Sequence, residues 1–101
     1  METSKEEMMM LLRELQDLQQ WLFDSLHKIV LDINLCVFVD SISIRCYACL
    51  FQDISGTGEG VYLYSSSSYE ENRAQLNYFV KYVKKLAKYG NKKSKPNQTT
   101  T

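Results

Sequence analysis

No acidic residue follows Glu71 in this chain of 101 residues, although its formal net charge is +0. Histidine is nearly absent, with His27 alone, and there are three cysteines. An odd cysteine count argues against a disulfide framework and for a reducing compartment, so a cytoplasmic protein is expected. No apolar run approaches the roughly 18–20 residues that span a bilayer, so no membrane insertion is expected. The opening stretch Met1-Glu2-Thr3-Ser4-Lys5-Glu6-Glu7 is acidic and lacks the positive region of a secretory signal. No internal repeat is visible.

Catalytic and metal chemistry is equally sparse. Cys46-Tyr47-Ala48-Cys49 is a lone Cys-x-x-Cys with no second ligand pair at zinc-site spacing. On a strand its two cysteines point to opposite faces, so they read as small apolar residues. A lone histidine reads as polar surface, and no Ser/His/Asp or Cys/His constellation arises from local spacing. The loop Gly56-Thr57-Gly58-Glu59-Gly60 lacks a following Gly-Lys-Ser/Thr, and Glu59 would repel an anion. It reads as a hairpin connection between strands. A non-catalytic protein without metal or cofactor is expected.

What the chain does contain is ordinary globular material, 45% hydrophobic and 24% charged. That length and composition suit one domain with a core of its own. Seven of the twelve aromatics are tyrosines. The charge is segregated. Up to Glu71 there are twelve acids against Lys5, Arg13, Lys28 and Arg45, a net −8. Beyond it lie Arg73, Lys81, Lys84, Lys85, Lys88, Lys92, Lys93 and Lys95, a net +8. Opposite surfaces of this kind attract each other, and polyanions attract only the basic one.

Periodicity predicts a helix from about Ser4 to Leu31. Thr3-x-x-Glu6 and Ser4-x-x-Glu7 both fit a capping box. Met8, Leu11, Leu15, Leu18, Leu22, Leu26 and Ile29 fall on one stripe. Such a helix would be on the order of 40 Å long, longer than a small sheet needs for cover. Leu12, Phe23 and Val30 form a partial second stripe, and Met9, Met10 and Trp21 lie elsewhere on the circumference.

Strands are predicted over 34–39 and 42–52, because these stretches are rich in β-branched and aromatic residues. Apolar residues occupy odd positions in the first and even positions in the second. A turn at Asp40-Ser41 explains that switch and pairs Val39 with Ile42, Val37 with Ile44 and Leu35 with Cys46. A bulge in one long bent strand would produce the same switch. A third strand is predicted over 61–65. Ser68-x-x-Glu71, with Ser67-x-x-Glu70 as competitor, opens a last helix that runs to Tyr89 and stops at Gly90. The expected architecture is α+β in the order α-β-β-β-α. A three-stranded antiparallel meander carries the long N-terminal helix and the C-terminal helix, in one domain over 1–90 with a flexible basic, polar tail over 91–101.

Two surfaces stand out. The last helix has a core stripe of Leu76, Phe79, Val80, Val83, Leu86 and Ala87. Beside it runs a lysine stripe, Lys81, Lys84, Lys85 and Lys88, and nearly opposite the core a tyrosine stripe, Tyr78, Tyr82 and Tyr89. Glutamates in the first turn and lysines in the last suit the helix dipole, and a lysine run is usually a solvated face. Outward tyrosines instead suggest a contact surface. The second surface is the far face of the sheet, with Cys36, Phe38, Arg45, Tyr47, Cys49 and Phe51, joined by Tyr62 and Tyr64. Aromatic sheet faces can stack unpaired bases, but an apolar patch of that size more often marks a protein interface.

The α-β-β-β-α order is similar to that of double-stranded-RNA-binding domains. That family presents a lysine-rich start to its second helix. Tyr69-Glu70-Glu71 stands there in this chain, with the lysines at the other end, so no functional residue is carried over. The reading that results is a self-associating interaction module, a homodimer or a binder of another protein. It would use the leucine-striped helix or the aromatic sheet face. The competing reading is an RNA or single-stranded DNA binder using the Lys/Tyr helix and the tail.

Overall fold

The computed structural model describes residues 2–25, 28–50 and 58–100, with side chains as far as residue 88. The elements are α1 (Lys5–Asp24), β1 (Ile29–Phe38), β2 (Ser41–Leu50), β3 (Glu59–Tyr64) and α2 (Tyr69–Thr100). The three strands form one antiparallel sheet in the order β1-β2-β3. The α-β-β-β-α architecture is as the sequence predicts.

Of the two possible capping boxes, Ser4 and Glu7 form the real one. The Glu7 N–H donates to Ser4 Oγ at 3.1 Å, and the Ser4 N–H donates to Glu7 Oε1 at 2.9 Å. Thr3 is buried instead and serves a different contact. The helix ends at Asp24, seven residues before the predicted end. Ile29, Val30 and Leu31 belong to β1. Ile29, Leu31 and Ile33 continue the odd-position alternation of Leu35 and Val37, and this two-residue period prevails over the apparent helical match at Ile29. Leu26 and His27 lie outside the described residues.

β1 and β2 form a true hairpin, but its turn is Val39-Asp40, one residue earlier than predicted. Val37 faces Ile42, Leu35 faces Ile44 and Ile33 faces Cys46. Ser41 enters β2 and its hydroxyl donates to the Phe38 carbonyl across the turn at 3.1 Å. The register differs from the predicted one by two residues, so the parity survives and every side chain keeps its expected face. Glu59 and Gly60, predicted as loop, open β3 opposite Ala48 and Tyr47.

α2 starts as predicted. The Glu71 N–H donates to Ser68 Oγ at 3.1 Å and the Ser68 N–H to Glu71 Oε1 at 3.4 Å. Its helical backbone continues past Gly90 to Thr100. No glycine among the described residues has a positive φ, so the left-handed stop predicted at Gly90 is not formed.

Both helices lie on one face of the sheet. Met8, Leu11, Leu15, Leu18 and Leu22 of α1 meet Leu76, Phe79 and Val83 of α2 over Ile44, Cys46, Ala48, Val61 and Leu63. α1 crosses the sheet diagonally. It begins beside the end of β3, where the Thr3 N–H donates to the Ser65 carbonyl at 3.0 Å. It finishes near the start of β1, where Gln19, Leu22 and Phe23 adjoin Ile29 and Leu31. No helix among the described residues covers the corner that holds Leu35 and Val37, and both residues are exposed.

Candidate interaction surfaces

The face of the sheet opposite the helices is built by strand alternation alone. Three rows cross it: Asp32-Tyr47-Gly60, Asn34-Arg45-Tyr62 and Cys36-Ser43-Tyr64. Tyr62 and Tyr64 are 54% and 46% exposed, and their rings lie parallel, 6.5 Å apart at 6°. Phe38 and Arg45 are exposed as well. Tyr47 lies over the β3 edge, where its hydroxyl accepts the Gly58 N–H at 3.1 Å. A side chain at position 58 would collide with that phenol and with the Ala48 carbonyl, so glycine is required there by space. Of the predicted sheet-face residues, Phe38, Arg45, Tyr47, Tyr62 and Tyr64 are together on this face, Cys49 is buried, and Phe51 lies outside the described residues.

The outward face of α2 carries Tyr78, Lys81, Lys85 and Lys88, all exposed. Together with Lys84 and Tyr82 these residues line a shallow trough of about 420 Å³. Tyr82 departs from its predicted place opposite the core. It is half-buried, packed on the core with its ring 6.5 Å from that of Phe79. It lies about 100° round the helix from the core stripe, so it flanks that stripe rather than opposing it. Burial raises the Tyr82 phenol above its usual range, with Glu59, Tyr47, Cys49 and Tyr78 adding smaller upward effects. The flank of α2 thus approaches the same β3 edge that Tyr47 covers. The Tyr89 side chain lies outside the described residues.

Among the described residues one salt bridge joins the two helices. Arg73 grips Glu14 with both ends of its guanidinium, each contact 2.7 Å, and its Nη2 also donates to the Tyr69 hydroxyl at 2.6 Å. These hydrogen bonds raise the Arg73 pKa further. Lys84 lies over the Trp21 ring at 5.7 Å. Among the described residues Lys81, Lys85 and Lys88 form no ion pair, and neither Asp17 nor Asp24 reaches a lysine.

The leucine stripe of α1 is no surface at all, since each of its residues from Met8 to Leu22 is at most 5% exposed. The Cys-x-x-Cys divides as strand geometry requires. Cys46 faces the helices within the core cluster, and Cys49 is buried on the other side. Burial, then the Asp32 charge, pushes the Cys46 thiol up to about 12, which keeps it protonated and unreactive. Among the described residues no three His, Cys, Asp or Glu gather in a way that could hold a metal ion. No helix among them is long and apolar enough to cross a membrane.

No family model, curated protein or solved structure matches this chain. Among the described residues the open sheet face is aromatic with one cation, Arg45, and one anion, Asp32. The α2 face is strongly cationic.

Sequence reasoning missed one polar centre, the buried Asn72. Its Nδ2 donates to Thr3 Oγ1 at 2.8 Å and to the Tyr64 carbonyl at 2.9 Å, while the Tyr64 N–H donates to its Oδ1 at 3.3 Å. Thr3 in turn donates to the Ser67 carbonyl at 2.8 Å. This clamp fastens the N-terminal segment to the end of β3 and so sets the diagonal of α1. Its only sequence signal is an asparagine at a core position of α2, four residues before Leu76.

Proposed function

We propose that the chain is a non-catalytic interaction module that self-associates, and that the sheet provides its contact surface. The observation that carries this reading is the distribution of exposed apolar side chains. They concentrate on the β1–β2 hairpin and the uncovered sheet face, at Leu35, Val37, Phe38, Val39, Tyr47, Tyr62 and Tyr64. Exposed apolar groups gathered on one element mark an interface rather than the scattered exposure of ordinary surfaces. The α1 stripe is already used internally, which removes it as a candidate. Three free thiols suit the cytoplasm. Sedimentation tests the reading: a concentration-dependent dimer is expected, and a strict monomer at high micromolar concentration would rule it out.

A second reading has one observation in its favour. Lys81, Lys85 and Lys88 face solvent beside Tyr78 with no carboxylate partner among the described residues, which suits phosphate contacts to RNA or single-stranded DNA. Tyr62 and Tyr64 would stack bases. Oligonucleotide affinity that falls steeply with salt, and weakens in Lys81→Ala and Lys85→Ala, is what this reading requires. Absence of any binding at low salt would end it.

A further inference from the structure

β1 is an edge strand, and its pairing with β2 fixes which backbone groups it turns outward. Ile42 directs its own groups toward β3: its N–H donates to Ser65 Oγ at 3.0 Å and its carbonyl accepts the Ser65 N–H at 2.9 Å. Its neighbour Val37 therefore exchanges no hydrogen bond with it and points its N–H and C=O away from the sheet. Alternation gives Leu35, Ile33 and Leu31 the same orientation. At Leu31 the outward carbonyl is already occupied, accepting Gln19 Nε2 of α1 at 3.1 Å. From Ile33 to Val37 no such cover is present among the described residues.

This stretch lacks the devices that keep an edge from pairing. The strand IVLDINLCVF has a single charge, Asp32, and neither lysine nor proline. Leu35, Val37, Phe38 and Val39 are 43%, 64%, 70% and 86% exposed. An apolar receptor for such side chains lies on the same edge. Gln19, Leu22, Phe23, Ile29 and Leu31 line a depression of about 220 Å³ beside the covered end of β1.

We infer that two copies of this chain pair antiparallel through β1, with Leu35 opposite its own symmetry mate, so that two three-stranded sheets become one of six strands. This register sets Ile33 opposite Val37 of the partner subunit. It uses every outward N–H and C=O between the Gln19 contact and the hairpin turn. It also carries the partner's Val39 alongside Leu31, where the depression is. The two-fold axis repeats each contact, so one surface supplies both halves of the interface. The inference rests on the self-association proposed above and names its surface. The open aromatic face would then run continuously across six strands, still free for another ligand.

Val37→Pro tests this directly. Proline at 37 deletes an outward N–H but no β1–β2 hydrogen bond, which is the setting in which an edge strand tolerates it. Val37→Lys adds a charge at the same point should proline distort the strand. With an unchanged far-ultraviolet circular dichroism spectrum, either variant should dimerise more weakly by on the order of thirtyfold in sedimentation, since each loss counts twice. Register is read by oxidation. Leu35→Cys in a Cys36→Ser background should form a covalent dimer, because opposed residues lie about 5.5 Å apart between Cα atoms, within disulfide range. Val37→Cys in the same background should not. A wild-type strict monomer would overturn the self-association itself. A dimer that ignores both Val37 variants, with no Leu35→Cys cross-link, would leave self-association standing and overturn the edge.

Discussion

The buried face of α1 and the strand β1 are built from the same kinds of residue but meet opposite fates. Met8, Leu11, Leu15, Leu18 and Leu22 vanish into the core, whereas Leu35, Val37 and Phe38 remain exposed. Apolar content does not separate them. Position relative to the helix layer does. α1 runs from the end of β3 to the start of β1, so it covers Ile29, Leu31 and Ile33 and misses the hairpin corner. A helix that crossed nearer parallel to β1 would have covered it. The diagonal follows from the N-terminal anchor at Ser65, Ser67 and Asn72.

Removing volume should affect the two elements very differently. Leu15→Ala leaves a cavity at a site with no exposure and should cost about 3–5 kcal/mol of unfolding free energy. Val37→Ala should cost the folded monomer less than about 0.5 kcal/mol, as surface truncations do. Chemical denaturation of both at low micromolar concentration checks the contrast. Comparable losses would mean that the hairpin corner is covered within one chain.

Asn72→Ala tests what sets the diagonal. It strands the Tyr64 N–H and removes a donor from Thr3 in a buried setting, for an expected loss of about 2–3 kcal/mol. Fraying of the α1 N-terminus in hydrogen exchange should accompany it. A loss without fraying would detach the clamp from α1.

Cys46 gives a smaller and pH-dependent effect. Its thiol titrates near 9.0 in the unfolded chain and is pushed up to about 12 in the fold. The folded state therefore holds a proton that the unfolded state releases. The stability is fully present below pH 9 and is lost as pH rises toward 12, at about 1.4 kcal/mol per pH unit. Cys46→Ala should flatten this alkaline slope, leaving the part due to Tyr82, whose pKa is raised in the same direction. An unchanged slope would show that Cys46 ionises freely and the core around it is open.

Much of the fold was legible because local periods are strong where a layer is buried. The Met8–Leu22 stripe, the Ser68–Glu71 box and the parity switch around residue 40 each have a local cause and were readable. The boundary at residue 25 was not, because Ile29 fits both a helical stripe and a strand alternation. The one-residue placement of the turn escaped for a related reason: both registers keep the same parity, so hydrophobicity cannot choose between them. The surfaces were legible as stripes but not as accessibilities. Which aromatic is covered depends on helix placement, which rests on Thr3 and Asn72, residues 69 positions apart. Tyr82 shows the limit, since a residue on the flank of a stripe is buried or exposed according to its neighbours.

Val39 stands at the exposed extreme of β1's hairpin. It is the one non-glycine residue with positive φ among those described, at 48°, and it is β-branched and almost fully exposed. A left-handed valine costs roughly 1–2 kcal/mol, and asparagine adopts that conformation far more readily. Val39→Asn should therefore raise the stability of the monomer by about 1 kcal/mol, measured by thermal unfolding at low concentration. If β1 pairs with its own copy, the same change removes an apolar group from the partner's depression and should weaken the dimer as it strengthens the monomer. Opposite signs for the two effects would account for a strained valine at a position where an Asn turn would fold better. A gain in both would mean that the tip of the hairpin touches nothing.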